Sequence, residues 1–194
     1  GRLTGKVGPY AVGLMNIQTG EEAVSLTRPT NFTVARVKRD VFKRSAIGVM
    51  ATNRSLAASD SGSNQAYGVD GTFSFFDNVT TALYWARTET SNRSGNDQSY
   101  QGRYDYNADR YGARGEFLVV GKNFNPEVGF VRRTDFKRSF GELRFSPRPT
   151  NIPDVRKFTY SGNGELFVNG AGHVESRTWT GHFGTELVNS DLIS

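Results

Sequence analysis

The sequence predicts an all-β chain, an antiparallel up-and-down β-barrel of about twelve strands. Three observations lead there. The first is strict alternation over residues 67–90. Tyr67, Val69, Gly71, Phe73 and Phe75 fall on one parity; Gly68, Asp70, Thr72 and Ser74 fall on the other. After Asp77-Asn78 the pattern resumes, with Val79, Thr81, Leu83 and Trp85 against Thr80, Ala82, Tyr84 and Ala86. A period of two means a strand with two unlike faces, and Asp-Asn is turn chemistry. The second is recurrence: the same two-faced pattern returns along the chain between clusters of turn residues. The third is an expected alternation of connections. Short turns and longer Ser-, Asn-, Gly- or Pro-rich loops follow one another, as in a barrel with short turns at one end and long loops at the other. Strands of about ten residues are long for a soluble sheet and suit a tilted bilayer crossing. Together these features predict a transmembrane β-barrel.

The elements are justified in order. Arg2–Val7 and Tyr10–Gln18 flank a Gly8-Pro9 turn, and a polar loop ending in Arg28-Pro29 follows. Asn31–Val41 reads as a strand on Thr33, Ala35, Val37 and Val41, although Val34, Val37 and Val41 also have helical spacing. Residues 45–53 alternate through Ile47, Val49 and Ala51. Residues 54–65 and 91–98 are Ser/Gly/Asn loops, expected to project from one end as the most mobile parts. Residues 99–107 and 111–121 form a hairpin, with Tyr100, Gly102, Tyr104 and Tyr106 facing Ala113, Gly115 and Phe117. Keeping like faces opposed suggests Tyr106 opposite Tyr111 and Gly102 opposite Gly115, which sets Arg103 against Arg114. Residues 128–133 are read as a short strand of ambiguous parity. Residues 137–145, 155–168 and 173–188 complete the set, separated by a proline-bearing loop and a turn at 169–172.

Composition narrows the function. The chain has 194 residues, which fits one domain, 1–194. Its pattern opens inside a strand, so we expect a piece of a longer protein whose targeting segment lies elsewhere. Cysteine is absent, which removes disulfides and thiolate chemistry. His173 and His182 are the two histidines, too few for a histidine-built metal centre, and no cofactor is expected. The net charge of +5 is spread without a basic stripe, which argues against a nucleic-acid partner.

The polar parity carries the candidate site. Asp70, Arg103, Asp105, Arg114, Glu116, Glu142 and Arg144 should share one face, lining the lumen of a closed barrel, where opposite charges pair across strands. Asp105 and Glu116 are also the nearest thing to a glycosidase pair of carboxylates. Arg103 and Arg114 beside them would keep both ionised, which spoils a general acid. The loop at residues 59–64 (SDSGSN) resembles a cation or phosphate loop but lacks the lysine and the strand-to-helix setting. Asn125, Pro126 and Glu127 form the loop candidate. It is either a tight reversal in which Glu127 caps a local amide, or a ligand contact. Aromatic residues beside the short turns, among them Tyr10, Phe42, Phe76, Tyr106 and Tyr111, fit a lipid–water boundary.

Several stretches carry a family resemblance: GKVGPYAVGLMNIQTGEE (5–22), NFTVARVKRDV (31–41), SNQAYGVDGTFSFFDN (63–78), NFNPEVGFVRRTDF (123–136) and FSPRP (145–149). They resemble the C-terminal outer-membrane barrel domain of bacterial proteins named for an N-terminal carbohydrate-binding family 9 module. The resemblance implies a Gram-negative outer-membrane location and lipid as partner. Carbohydrate would enter only through the N-terminal module, which is absent from this sequence. It implies an anchor or conduit for a surface protein, and no catalytic residues. Two other readings stay open: an accessory domain of a glycan-active surface enzyme, and a soluble β-sandwich binding module.

Overall fold

A computed structural model describes residues 1–21, 28–58 and 62–194. Part of the loop at 59–64 lies outside the described residues. Twelve strands follow in order: β1 (Arg2–Val7), β2 (Tyr10–Gln18), β3 (Asn31–Val41), β4 (Ser45–Arg54), β5 (Asn64–Phe75), β6 (Val79–Thr90), β7 (Gln98–Asn107), β8 (Tyr111–Val120), β9 (Phe136–Phe145), β10 (Val155–Asn169), β11 (Val174–Leu187) and β12 (Leu192–Ile193). Each pairs with its neighbours in sequence, in one open sheet running from β1 to β12. The sheet does not close on itself: β1 and β12 are its two ends.

Two expectations need correction. Residues 128–133 are not a strand; they belong to the connection between β8 and β9. Their apolar residues, Val128, Phe130 and Val131, are interrupted by Gly129 and bounded by Pro126 and by Arg132-Arg133, too few to sustain a ladder. The twelfth strand is instead the two-residue β12. Removing one strand also reverses the last connections. The proline loop at 146–154 lies at the end of the sheet that holds the short turns. The turn at 170–173 lies at the end with the long loops. The alternation of short and long connections therefore holds only up to β9.

Contacts divide the chain into two compact units. The first is Gly1–Phe73, Ala82–Gln101 and Val119–Phe136. Here the ladder sets Val12 opposite Val37, Val37 opposite Val49, and Val49 opposite Val69, a valine row across four strands. The alternate positions hold Lys38, Gly48 and Asp70 in a second row, with Arg36 and Met50 beside it. β-Branched residues suit a pleated surface, and the two-residue period keeps the rows apart.

The second unit is Ser74–Thr81, Gly102–Leu118 and Lys137–Ser194. In it β10 and β11 set Tyr160 opposite Phe183, Gly162 opposite Gly181, Gly164 opposite Trp179 and Glu165 opposite Thr178. On β9 the accessible face is the apolar one. Leu143 is 70% exposed, whereas the Arg138 side chain, five residues earlier and on the other face, keeps only 26%. The same inversion holds in the first unit, where Leu14, Val49 and Val69 are exposed. Among the described residues the buried hydrophobic set is Ala57, Val120 and Phe124.

Candidate functional site: a charged sheet face and the loop laid on it

On the charged face, long side chains reach over neighbouring strands, and glycine makes the reach possible. In the first unit Arg36 on β3 donates from Nη2 to both carboxylate oxygens of Asp70 on β5, each at 2.8 Å. The bond passes over β4 at Gly48. A Cβ there would stand 2.7 Å from Asp70 Oδ2 and 3.0 Å from Arg36 Nη2. The second unit repeats the device. Arg144 on β9 reaches past Gly112 on β8 to Asn107 Oδ1 and the Ala108 carbonyl. A Cβ on Gly112 would stand 2.9 Å from Arg144 Nε. Gly48 and Gly112 sit on the polar parity, and only the nonlocal partners reveal why they are glycine.

Two further charge clusters of the second unit lie on β7 to β10. Asp105 accepts from Arg103 Nε at 2.6 Å and from Arg114 Nε at 2.7 Å. Arg138 donates to both Glu116 and Glu165. Glu142 lies between Phe140 and Arg144 on β9 and lines one hollow with Arg114. The hairpin register differs from expectation by two residues. Ala108 N donates to the Tyr111 carbonyl and Gly121 N to the Gln98 carbonyl. These bonds set Asp105 across from Arg114, and Arg103 across from Glu116. A shift of two keeps every face assignment, so face-matching could not detect it. Opposite charges across the pair decide in its favour.

The loop candidate is built into the first unit. Asn64 at the start of β5 is fully buried. Its amide donates to Thr90 Oγ1 and to the Asn125 carbonyl, and its Oδ1 accepts from Glu127 N. Thr88 Oγ1 accepts from Asn125 N. Glu127 Oε2 accepts from Ala58 N at 2.7 Å and from Arg54 Nη1 at 3.1 Å, and Oε1 accepts from Asn125 Nδ2. Only 6% of the Glu127 side chain is exposed. The carboxylate is thus fully engaged. It caps an amide, as one reading of this loop expected, but a distant one rather than a local one. Asn123 also ties the segment to the β6–β7 loop through the carbonyls of Ser94 and Gly95. The described parts of 54–65 and 91–98 are therefore tied down: Ser63 N donates to Ser91 Oγ, and Ser91 N to the Ser63 carbonyl.

Against the loop, a hollow of about 480 Å³ opens on the charged face, lined by Arg36, Asp70, Tyr84, Phe124, Pro126 and Phe130. Searches against protein-family models, curated proteins and solved structures find no match to this chain.

Chemically, most of the site's carboxylates are ion-paired, Asp70 with Arg36, Asp105 with Arg103 and Arg114, and Glu116 with Arg138. Asp105 and Glu116 are thus each held by arginine. No group of three or more His, Asp or Glu side chains converges as a metal site among the described residues. The arrangement holds the 123–131 segment against the sheet. Asn64 and Thr88 were missed by sequence reading, because an isolated strand-end Asn or Thr carries no local signal of its long-range partners.

Proposed function

We propose that this chain is part of the wall of a transmembrane β-barrel in a bacterial outer membrane, serving as anchor or conduit of a larger surface protein. One observation carries the reading: on β9, and on β4 and β5 around Val49 and Val69, apolar side chains are the exposed ones. Leu143 is 70% exposed, whereas the Arg138 and Glu116 side chains keep 26% and 12%. Soluble monomers rarely leave so large an apolar surface open, whereas a barrel wall turns it to lipid and its charges to the lumen. The candidates Asp70, Arg103, Asp105, Arg114, Glu116, Glu142 and Arg144 are then lumen residues. The 123–131 segment lies against that lumen wall. The sequence resemblance points the same way and supplies the link to saccharides, through a module outside this chain.

The test is transfer. Refolded into detergent and then into phosphatidylcholine vesicles, the protein should enter the lipid and resist protease. A chain that stays monomeric in detergent-free buffer, and ignores vesicles, would refute the proposal.

A further inference from the structure

Resting on the membrane reading above, we infer that the apolar face of the second unit holds one acyl chain of a phosphate-bearing lipid, with Arg177 as the phosphate ligand. The site is built by side chains of three kinds. At one end an aromatic row crosses four strands. Tyr111 and Phe145 have ring centroids 5.3 Å apart, Phe145 and Tyr160 6.4 Å, and Tyr160 and Phe183 5.1 Å. Beyond that row the face drops, because Gly162 stands opposite Gly181. A Cβ on Gly141 or Gly181 would meet nothing within 4 Å, so the recess is open. Leu143 and Trp179 rise at its sides, 70% and 77% exposed. The Trp179 ring is fixed over Gly164, where a Cβ would come within 2.4 Å of it.

At the far end stands Arg177, opposite Leu166. It shares the parity of Trp179, Gly181 and Phe183, so its guanidinium belongs to the apolar face.

The dimensions fit a lipid chain. From Arg177 to Phe183 the strand advances about 20 Å at roughly 3.3 Å per residue. One leaflet is half of a hydrocarbon core of about 30 Å, and the distance from Arg177 past Trp179 to the aromatic row is of that order. A recess left empty forfeits dispersion contacts along its whole lining, and a flexible chain restores them. The cation sets the headgroup. A guanidinium forks onto phosphate oxygens, and Arg177 lies near the 170–173 turn, at the end of the strand where a headgroup would sit.

The test is native mass spectrometry of the detergent-purified protein incubated with phosphatidylglycerol. The wild type should retain one lipid. Gly181→Leu and Gly141→Leu place an apolar side chain into open space, keep the face lipid-compatible and should expel the lipid. Arg177→Gln should weaken retention about fivefold, the worth of one arginine at an anionic surface. Two glycine sites guard against a single variant that fails to fold. Equal retention by all three variants would overturn the inference, as would preference for a free fatty acid over the phospholipid. A wild-type dimer abolished by Gly181→Leu would also overturn it, by assigning the recess to a second copy. Each of these outcomes is read on protein that enters detergent and vesicles; failure to enter either would fall on the membrane reading instead.

Discussion

Glu127 and Arg54 lie 73 positions apart in sequence, and their side chains meet at 3.1 Å with the carboxylate almost wholly enclosed. This pair joins the β8–β9 connection to the end of β4. The same carboxylate also holds the Ala58 amide, so its loss frees three donors at once. Glu127→Ala should cost about 1.5–3 kcal/mol, the usual penalty for removing a charged partner from buried hydrogen bonds. Limited proteolysis should report it first as new cleavage within 121–135. An unchanged cleavage pattern would mean that Asn64 and Thr88 hold the loop without it.

Arg138 bridges Glu116 and Glu165, whose side chains are 12% and 31% exposed. Arg138→Met would leave two carboxylates on one face without their shared cation. Breaking a buried pair from one side costs about 3–5 kcal/mol, and the partial exposure here places the expected loss at or below the lower end. The triple variant with Glu116→Gln and Glu165→Gln should recover most of it. Urea unfolding in detergent measures both. No recovery would mean that Arg138 acts through its contacts with Phe140 and Phe167 rather than through charge.

Gly48→Ala tests the reach of Arg36 over β4. The new methyl would stand inside van der Waals distance of both members of the Arg36–Asp70 pair. Both groups are flexible, so they should move apart and the pair should open. Gly48→Ala and Asp70→Asn should then lose stability by similar amounts and should not add in the double variant. Full additivity would contradict the geometry.

The clamp between the β7–β8 turn and the 146–154 loop sets a pH dependence. Arg148 donates Nε and Nη2 to the two oxygens of Asp109, at 3.0 and 2.7 Å. These hydrogen bonds, with the Arg148 charge behind them, hold the Asp109 carboxyl below the usual aspartate range against a smaller desolvation effect. A lowered folded-state pKa stabilises the fold above the ordinary aspartate value. That contribution disappears as pH falls through the lowered value. Carbon-13 titration of the Asp109 carboxyl should show a midpoint below 3.8 in the wild type and a return toward it in Arg148→Met. The same midpoint in both proteins would remove the clamp.

Much of this fold was legible in the sequence, and what was missed has definable causes. Alternation located the strands because a period of two is a local property: Val49 and Gly48 reveal their faces without knowledge of β5. Residues 128–133 misled because a run that short satisfies more than one period. The β7–β8 register was two residues off because a shift of two leaves Tyr104 and Gly115 on the same face, and only the charges of Asp105 and Arg114 separate the alternatives. The bonds of Asn64, the glycines beneath Arg36 and Arg144, and the recess around Gly181 depend on strands far apart in the chain. No window of sequence contains both partners.

Phe73 and its neighbour Ser74 fall on opposite faces of β5 by parity, and the Phe73 ring lies over Gly71. Facing lipid at the midplane, an arginine costs about 2–4 kcal/mol, whereas one on the lumen side is solvated. Phe73→Arg should therefore block assembly in vesicles far more than Ser74→Arg. Equal yields of the two variants would oppose the assignment of faces.

Because the chain lacks cysteine, a single engineered one can be read without background. Leu143 and Glu142 are neighbours on β9, one on each face. We expect a fluorophore on Leu143→Cys in vesicles to be quenched by bromine-labelled acyl chains and shielded from a water-soluble quencher. Glu142→Cys should show the reverse. The opposite pattern, or equal access of the aqueous quencher to both positions, would contradict a barrel wall with its apolar face in lipid.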